Sequence, residues 1–150
     1  MLRIDVFFLV LATLCMLVGV SLGIAMGVAQ DFRFAPVHAH LNLVGWVSLA
    51  LYGLVYRAYP AMGRSPLGNA HLVASAFGAV LFPVGIYLSI AHGTPGLAIM
   101  GSLIWLAGAV LFLVNLVGSV ALRMPSFGRR DPSRPASRDG FGPMLSENVR

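Results

Sequence analysis

The sequence is organised around the stretch PVHAHLNLVGW, residues 36–46, which places two histidines and an asparagine at the start of an otherwise apolar segment. The apolar residues continue through Leu51 and Val55 to Tyr56. Burying an imidazole in hydrocarbon is costly, so His38 and His40 each need a hydrogen-bond partner, water or a metal if this segment crosses a membrane. The fold therefore depends on whether the segment spans a membrane, and the function depends on what the imidazoles hold.

The composition predicts a membrane protein. Hydrophobic residues make up 58% of the 150 residues and charged residues only 10%, whereas about a quarter of an ordinary soluble domain is charged. Four apolar runs, at about residues 6–28, 37–56, 70–91 and 97–122, each approach the roughly 20 residues that a helix needs to cross a bilayer. We therefore expect an all-α fold, an integral membrane four-helix bundle over residues 1–122. Residues 123–150, rich in Arg, Pro and Ser, are predicted to form a disordered tail.

The basic residues predict the orientation in the membrane. With four spans, Arg3, Arg57, Arg64 and the six arginines after residue 122 lie on one side, and only Arg33 lies on the other. The positive-inside rule then places both termini in the cytoplasm and the protein in a bacterial-type inner membrane, surrounded by the lipid bilayer. Basic residues beside a span serve topology and bind anionic headgroups, so no nucleic-acid partner is expected.

The predicted topology separates the four histidines by depth. His38 and His40 begin the second span at the outer face, and His92 ends the third span at the same face. His71 begins the third span at the inner face, roughly 30 Å from His92 along the helix axis. His71 therefore cannot share a site with the others, and His71 and His92, each taken alone, are expected to be solvated side chains at helix ends. A site joining different helices would pair His38 or His40 with His92.

Helical geometry also separates the two neighbouring histidines. Residues two apart lie about 200° round a regular helix, so His38 and His40 point in nearly opposite directions. The His38 face continues through Asn42, Gly45 and Leu49 and is polar and small, which predicts that His38 faces the bundle. Asn42, one turn after His38, is placed either to orient an imidazole through its ring N–H or to hydrogen-bond another helix.

The histidines are suited to binding rather than to hydrolysis. Imidazole ligates haem iron, copper and zinc, and two facing imidazoles would suit a low-spin b-type haem. No Cys-x-x-Cys-His motif is present, which excludes covalent c-type haem. The predicted spans contain no Asp or Glu, and no nucleophile stands beside a base with an orienting acid. The sequence thus contains no complete catalytic centre.

The stretch HAHLNLVGW (residues 38–46), with Gly53 and Pro60 following, resembles the membrane proteins of the NnrS family. It looks more distantly like the second helix of haem-copper oxidase subunit I. The resemblance implies that His38 or His40 ligates a haem or copper near the outer face. Both families have many more spans, and the oxidases use further histidines for a binuclear centre that this sequence lacks. What the resemblance implies is therefore a single-haem or single-metal module.

Two hypotheses follow from the sequence. The first is a membrane protein that binds haem b, or copper, through His38 or His40, with Asn42 beside them and His92 as a second ligand. Its role would be electron transfer or the handling of a diatomic gas, NO or O₂.

The second hypothesis is a cofactor-free accessory or assembly subunit of a larger, respiratory-type membrane complex. Gly19, Gly23 and Gly27 recur every fourth residue in the first span and would let another helix approach closely. Packing within the chain is the simpler interpretation of this glycine stripe. A homodimer, which would bring two sets of histidines together, is compatible with both hypotheses.

Overall fold

The computed structural model describes residues 3–121. Four helices in this range are long and apolar enough to cross a membrane, and we number them as spans 1 to 4: Ile4–Ala29, Ala35–Ala58, Pro66–His92 and Gly96–Ser119. Helix continues beyond span 4 to Ala121, and the described residues contain no β-strand. The all-α fold with four helices long and apolar enough to cross a membrane is confirmed. Each helix begins and ends within about one turn of the predicted boundary. The predicted disordered tail lies outside the described residues.

Span 2 is not one regular α-helix. Ala35–His40 is α-helical, Leu41–Ser48 is π-helical and Leu49–Ala58 is α-helical again. In a π-helix the hydrogen bonds join residues five apart, and such segments occur frequently at functional sites. The predicted regular helix is therefore interrupted, and the interruption begins directly after His40.

The connection between spans 2 and 3 is more helical than predicted. A short helix, Pro60–Gly63, follows span 2. Span 3 begins at Pro66, one turn earlier than expected, because the Ser65 hydroxyl accepts a hydrogen bond from the Leu67 N–H (3.2 Å) and caps the helix. Pro66 suits the first helical position because its φ is already fixed and it has no N–H to satisfy. Ser65 therefore determines where span 3 starts and how deep its residues lie.

Glycines bring spans 3 and 4 into close contact. Gly78 lies against the backbone of Trp105, and Gly101 lies against the backbone of Phe82. A Cβ atom on Gly101 would come 2.6 Å from the backbone nitrogen of Phe82, which is too close for any side chain. Small residues allow such approach in a membrane, where packing rather than exclusion of water drives helix association.

The two faces of span 1 have different surroundings. Its buried residues recur every three to four positions and so form one stripe of the helix, beginning with Ile4, Phe8, Ala12 and Cys15. The other face exposes large apolar side chains, with Val28 83% exposed. Such an apolar outer surface matches the hydrocarbon of a bilayer. The fold is thus that of a multi-pass helical membrane protein.

We expect Gly101→Ala to lower the melting temperature of the detergent-solubilised protein, because the new methyl group collides with the backbone at Phe82. Gly27→Ala is the matched control, since nothing lies within 4 Å of its Cβ position. Alanine in place of glycine there gains up to about 1 kcal/mol of helix propensity. Thermal unfolding followed by circular dichroism measures both. A melting temperature that stays unchanged in Gly101→Ala would contradict the close packing of spans 3 and 4.

Candidate functional site

The polar residues gather at two ends of the bundle. His38, His40 and His92 lie at one end, which we call the histidine end. Arg3, Arg57 and Arg64 line a cavity at the other, which we call the arginine end. At the histidine end the ring of His38 packs on span 1, whereas the ring of His40 packs on span 3. The two imidazoles thus face different neighbours, as the helical spacing predicts.

His38 is held by the backbone of span 1. Its Nδ1 lies 2.8 Å from the carbonyl oxygen of Gly19, and because a carbonyl oxygen can only accept, the ring nitrogen is the donor. A neutral imidazole then carries its lone pair on Nε2. The ring fits because Gly23 has no side chain: a Cβ atom there would lie 2.7 Å from Cε1 of His38. One orientation and one tautomer are therefore fixed.

Asn42 contacts His38, as its one-turn spacing predicts, but it binds the backbone. Its Nδ2 donates to the carbonyl oxygen of His38 (2.9 Å). Nδ1 of His38 is 3.4 Å away, but that nitrogen donates to Gly19. The amide packs beside Gly19, where a Cβ atom would approach Nδ2 to 2.7 Å. The Gly19 carbonyl therefore orients the ring, and Asn42 fills the groove between spans 1 and 2.

His40 and His92 are not brought together. His40 donates its Nδ1–H to the carbonyl oxygen of Pro36 (2.8 Å), one turn earlier in the same helix. Its ring packs edge-on against Phe82, with 4.7 Å between the centroids. His92 is exposed at the end of span 3, roughly 15 Å beyond Phe82 along the helix axis. The arrangement therefore does not form the ligand pair expected between His92 and His38 or His40.

Haem and copper place different demands on the side chains at the histidine end. Within residues 3–121, no group of three His, Cys, Asp or Glu side chains could hold a metal ion. Copper sites are usually built from several such side chains. A haem iron needs only one or two axial ligands, and one imidazole with the lone pair on Nε2 meets that requirement.

A second polar cluster joins spans 2, 3 and 4 nearer the arginine end. His71 is fully buried, so the expectation of a solvated side chain is wrong. The Tyr56 hydroxyl lies 2.9 Å from Nδ1 of His71. Asn115 donates from Nδ2 to the Tyr56 oxygen (3.3 Å) and to the carbonyl oxygen of Met62 (3.1 Å). We call Tyr56, His71 and Asn115 the buried polar cluster.

The buried polar cluster leaves Nε2 of His71 unpaired. The Tyr56 hydroxyl can donate or accept, so its bond to Nδ1 of His71 forms with either imidazole tautomer. In both tautomers Nε2 is buried without a partner among the described residues, as is the hydroxyl of Ser75 one turn later. An unpaired buried polar atom costs roughly 1–3 kcal/mol. The cluster therefore specifies how the spans fit together more than it maximises stability.

The imidazole of His71 is enclosed by aromatic rings. Those of Tyr52, Phe8 and Phe112 have centroids 4.6, 5.1 and 5.2 Å from it. Two signals in the sequence point to this contact: Tyr52 and Tyr56 lie one turn apart, and Asn115 is a single amide in an apolar run. Neither signal identifies its partner, because the partner lies on another span.

No family model, curated protein or solved structure matches this chain. The similarity of residues 38–46 to NnrS proteins and to haem-copper oxidase subunit I therefore stays a prediction. The fold and its apolar surface define the class, a multi-pass α-helical membrane protein.

We expect Asn115→Leu to destabilise the protein by roughly 1 kcal/mol, a typical value for a hydrogen bond between membrane helices. Tyr56→Phe and the double variant complete a cycle. Tyr56→Phe should lower the free energy of unfolding less in the Asn115→Leu background than in the unmodified protein, because the bond between Asn115 and Tyr56 is already lost. Denaturation in mixed micelles measures each step.

Tyr87→Phe is the control for this cycle, because the Tyr87 ring packs on Phe34 at the histidine end, with 4.9 Å between the centroids. It should combine additively with Asn115→Leu. If the losses in the free energy of unfolding caused by Asn115→Leu and Tyr56→Phe also add up, the buried polar cluster is not coupled.

Proposed function

We propose that the protein binds a b-type haem at the histidine end, with Nε2 of His38 as the atom that would hold its iron, and that it binds or senses a diatomic gas such as NO or O₂. The observation that carries the proposal is the hydrogen bond from Nδ1 of His38 to the Gly19 carbonyl oxygen (2.8 Å). In metal-binding histidines, the nitrogen that does not face the metal almost always donates to a carbonyl, a carboxylate or water.

The carbonyl partners favour His38 over His40 as the ligand. The carbonyl that holds His38 belongs to another span, so the position of its ring depends on the packing of the bundle. The carbonyl that holds His40 lies in the same helix, an arrangement available to any helical histidine. The π-helical segment Leu41–Ser48, of a kind frequent at functional sites, begins directly after His40 and within one turn of His38, so it does not separate the two candidates. His40 is the alternative ligand.

The spacing of the histidines supports gas binding over electron transfer. A haem that transfers electrons is suited to being held by two imidazoles. Here the His40 ring packs on Phe82, and His92 lies roughly 15 Å further along span 3. A haem held by His38 alone would supply an iron that can bind a diatomic gas. The part of this chain is to orient the imidazole and keep its lone pair on Nε2.

A role as a cofactor-free accessory subunit remains the alternative, but the glycine stripe of span 1 now supports it less. Gly19 and Gly23 are covered by Asn42 and His38 of the same chain, and only Gly27 of the stripe is open. The simpler interpretation, packing within the chain, thus applies to the first two glycines. An accessory role, in a larger complex or as a homodimer, would be favoured by purified protein that contains neither haem nor copper.

Purified protein is expected to show a Soret band, and the reduced form should shift this band on addition of carbon monoxide, because a haem held by His38 alone would bind the gas. His38→Ala should lower the haem content roughly tenfold or more, the scale on which metal sites respond to lost support. Gly23→Ala should also lower it, because the new methyl group displaces the imidazole. Absorption spectra and haem extraction measure these effects.

His92→Ala is the matched control and should leave the haem content unchanged. Loss of haem in His40→Ala but not in His38→Ala would transfer the ligand role to His40. Protein without a Soret band, or with unchanged haem in the variant His38→Ala/His40→Ala, would overturn the proposal.

A further inference from the structure

A cavity of about 360 Å³ at the arginine end is built from three separate segments of the chain. Arg3 directly precedes span 1, Arg57 lies in the last turn of span 2, and Arg64 follows the short helix Pro60–Gly63. The buried ring of Tyr56 contributes to the wall. We call this cavity the arginine cleft.

The arginine cleft carries more positive than negative charge. Its lining includes three arginines and one carboxylate, Asp5, which gives a formal net charge of 3 − 1 = +2. Asp5 pairs with Arg3 (3.1 Å) and lies within electrostatic range of Arg57. In the described part of the chain, no carboxylate oxygen lies within ion-pair distance of Arg57 or Arg64. Two guanidinium groups are therefore available to an anion.

We propose that the arginine cleft binds the phosphate group of an anionic phospholipid. The guanidinium group presents donors in a planar fork that matches phosphate oxygens. The cleft lies where the apolar spans begin and end, the depth of lipid headgroups. This is also the end that the positive-inside rule predicts to be cytoplasmic, where basic pockets between helices bind anionic headgroups.

An apolar surface beyond the cleft favours a lipid over free phosphate. It is formed by one face of span 1, at Val6, Leu9, Val10, Thr13 and Leu14, and most of these side chains are exposed. It begins three residues after Arg3 and so lies on the membrane side of the cleft. The Thr13 hydroxyl donates to the Leu9 carbonyl oxygen (2.9 Å) and so presents no unpaired donor. An acyl chain can pack on this apolar surface, whereas a free phosphate ion would make no favourable contact with it.

The test measures the melting temperature of the full chain in micelles titrated with phosphatidylglycerol, phosphatidylcholine of the same acyl chains, or inorganic phosphate. Phosphatidylglycerol should stabilise the protein at lower concentration than phosphatidylcholine. Arg57→Gln/Arg64→Gln should raise the half-saturating concentration of phosphatidylglycerol roughly tenfold or more, because the charge-assisted bonds to phosphate are lost. Arg57→Lys/Arg64→Lys keeps the charges and should retain the preference for phosphatidylglycerol.

Arg129→Gln/Arg130→Gln is the matched control, because it removes the same number of positive charges and leaves Arg3, Arg57 and Arg64 in place. Retained binding in this control, with loss in Arg57→Gln/Arg64→Gln, supports the cleft. Stabilisation by inorganic phosphate with the same dependence on Arg57 and Arg64 supports a phosphate site whose ligand comes from solution. Equal losses in the two glutamine variants, or no preference for phosphatidylglycerol, would overturn the proposal.

Discussion

The hydrogen bonds among Tyr56, His71 and Asn115 constrain how spans 2, 3 and 4 fit together. In a membrane the lipid is as apolar as the helices, so apolar faces alone do not specify depth or rotation. The directional hydrogen bonds between span 2 and spans 3 and 4 do specify both. Span 1 joins the same centre, since the ring of Phe8 stacks on Tyr56 with 5.5 Å between centroids and 7° between planes. The apolar packing around the cluster can therefore be close in only one arrangement.

The histidine end depends on a different kind of contact. There span 1 has no side chain at Gly19 or Gly23. Asn42 of span 2 packs against Gly19, and His38 packs against Gly23. Span 2 is thus fixed near one end by glycines and near the other by the buried polar cluster. Because span 2 is fixed near both ends, the imidazole of His38 has little freedom to reorient. A ligand-binding side chain needs such a rigid scaffold.

The sequence predicts what depends on local geometry. The four spans follow from the apolar runs, and the opposite directions of His38 and His40 follow from about 100° of rotation per residue. The burial of His71 was not predicted, because it depends on where span 3 starts. Capping by Ser65 starts the helix one turn earlier than expected. His71 then lies deeper and meets Tyr56 and Asn115, partners on other spans that no local pattern identifies.

The π-helical segment Leu41–Ser48 lies between the candidate ligand and the buried polar cluster, on one continuous helix. Tyr56 fixes the rotation of the last turns of span 2 about the helix axis. The π-helical segment then determines the direction in which the side chains of the first turns point. The number of residues between His38 and Tyr56 therefore determines the angle between their side chains around the helix axis. Because a π-helix rotates by less than the 100° per residue of an α-helix, the segment turns the imidazoles relative to Tyr56 away from their positions on a regular helix. Chain length in this segment is thus under a constraint that side-chain chemistry alone does not explain.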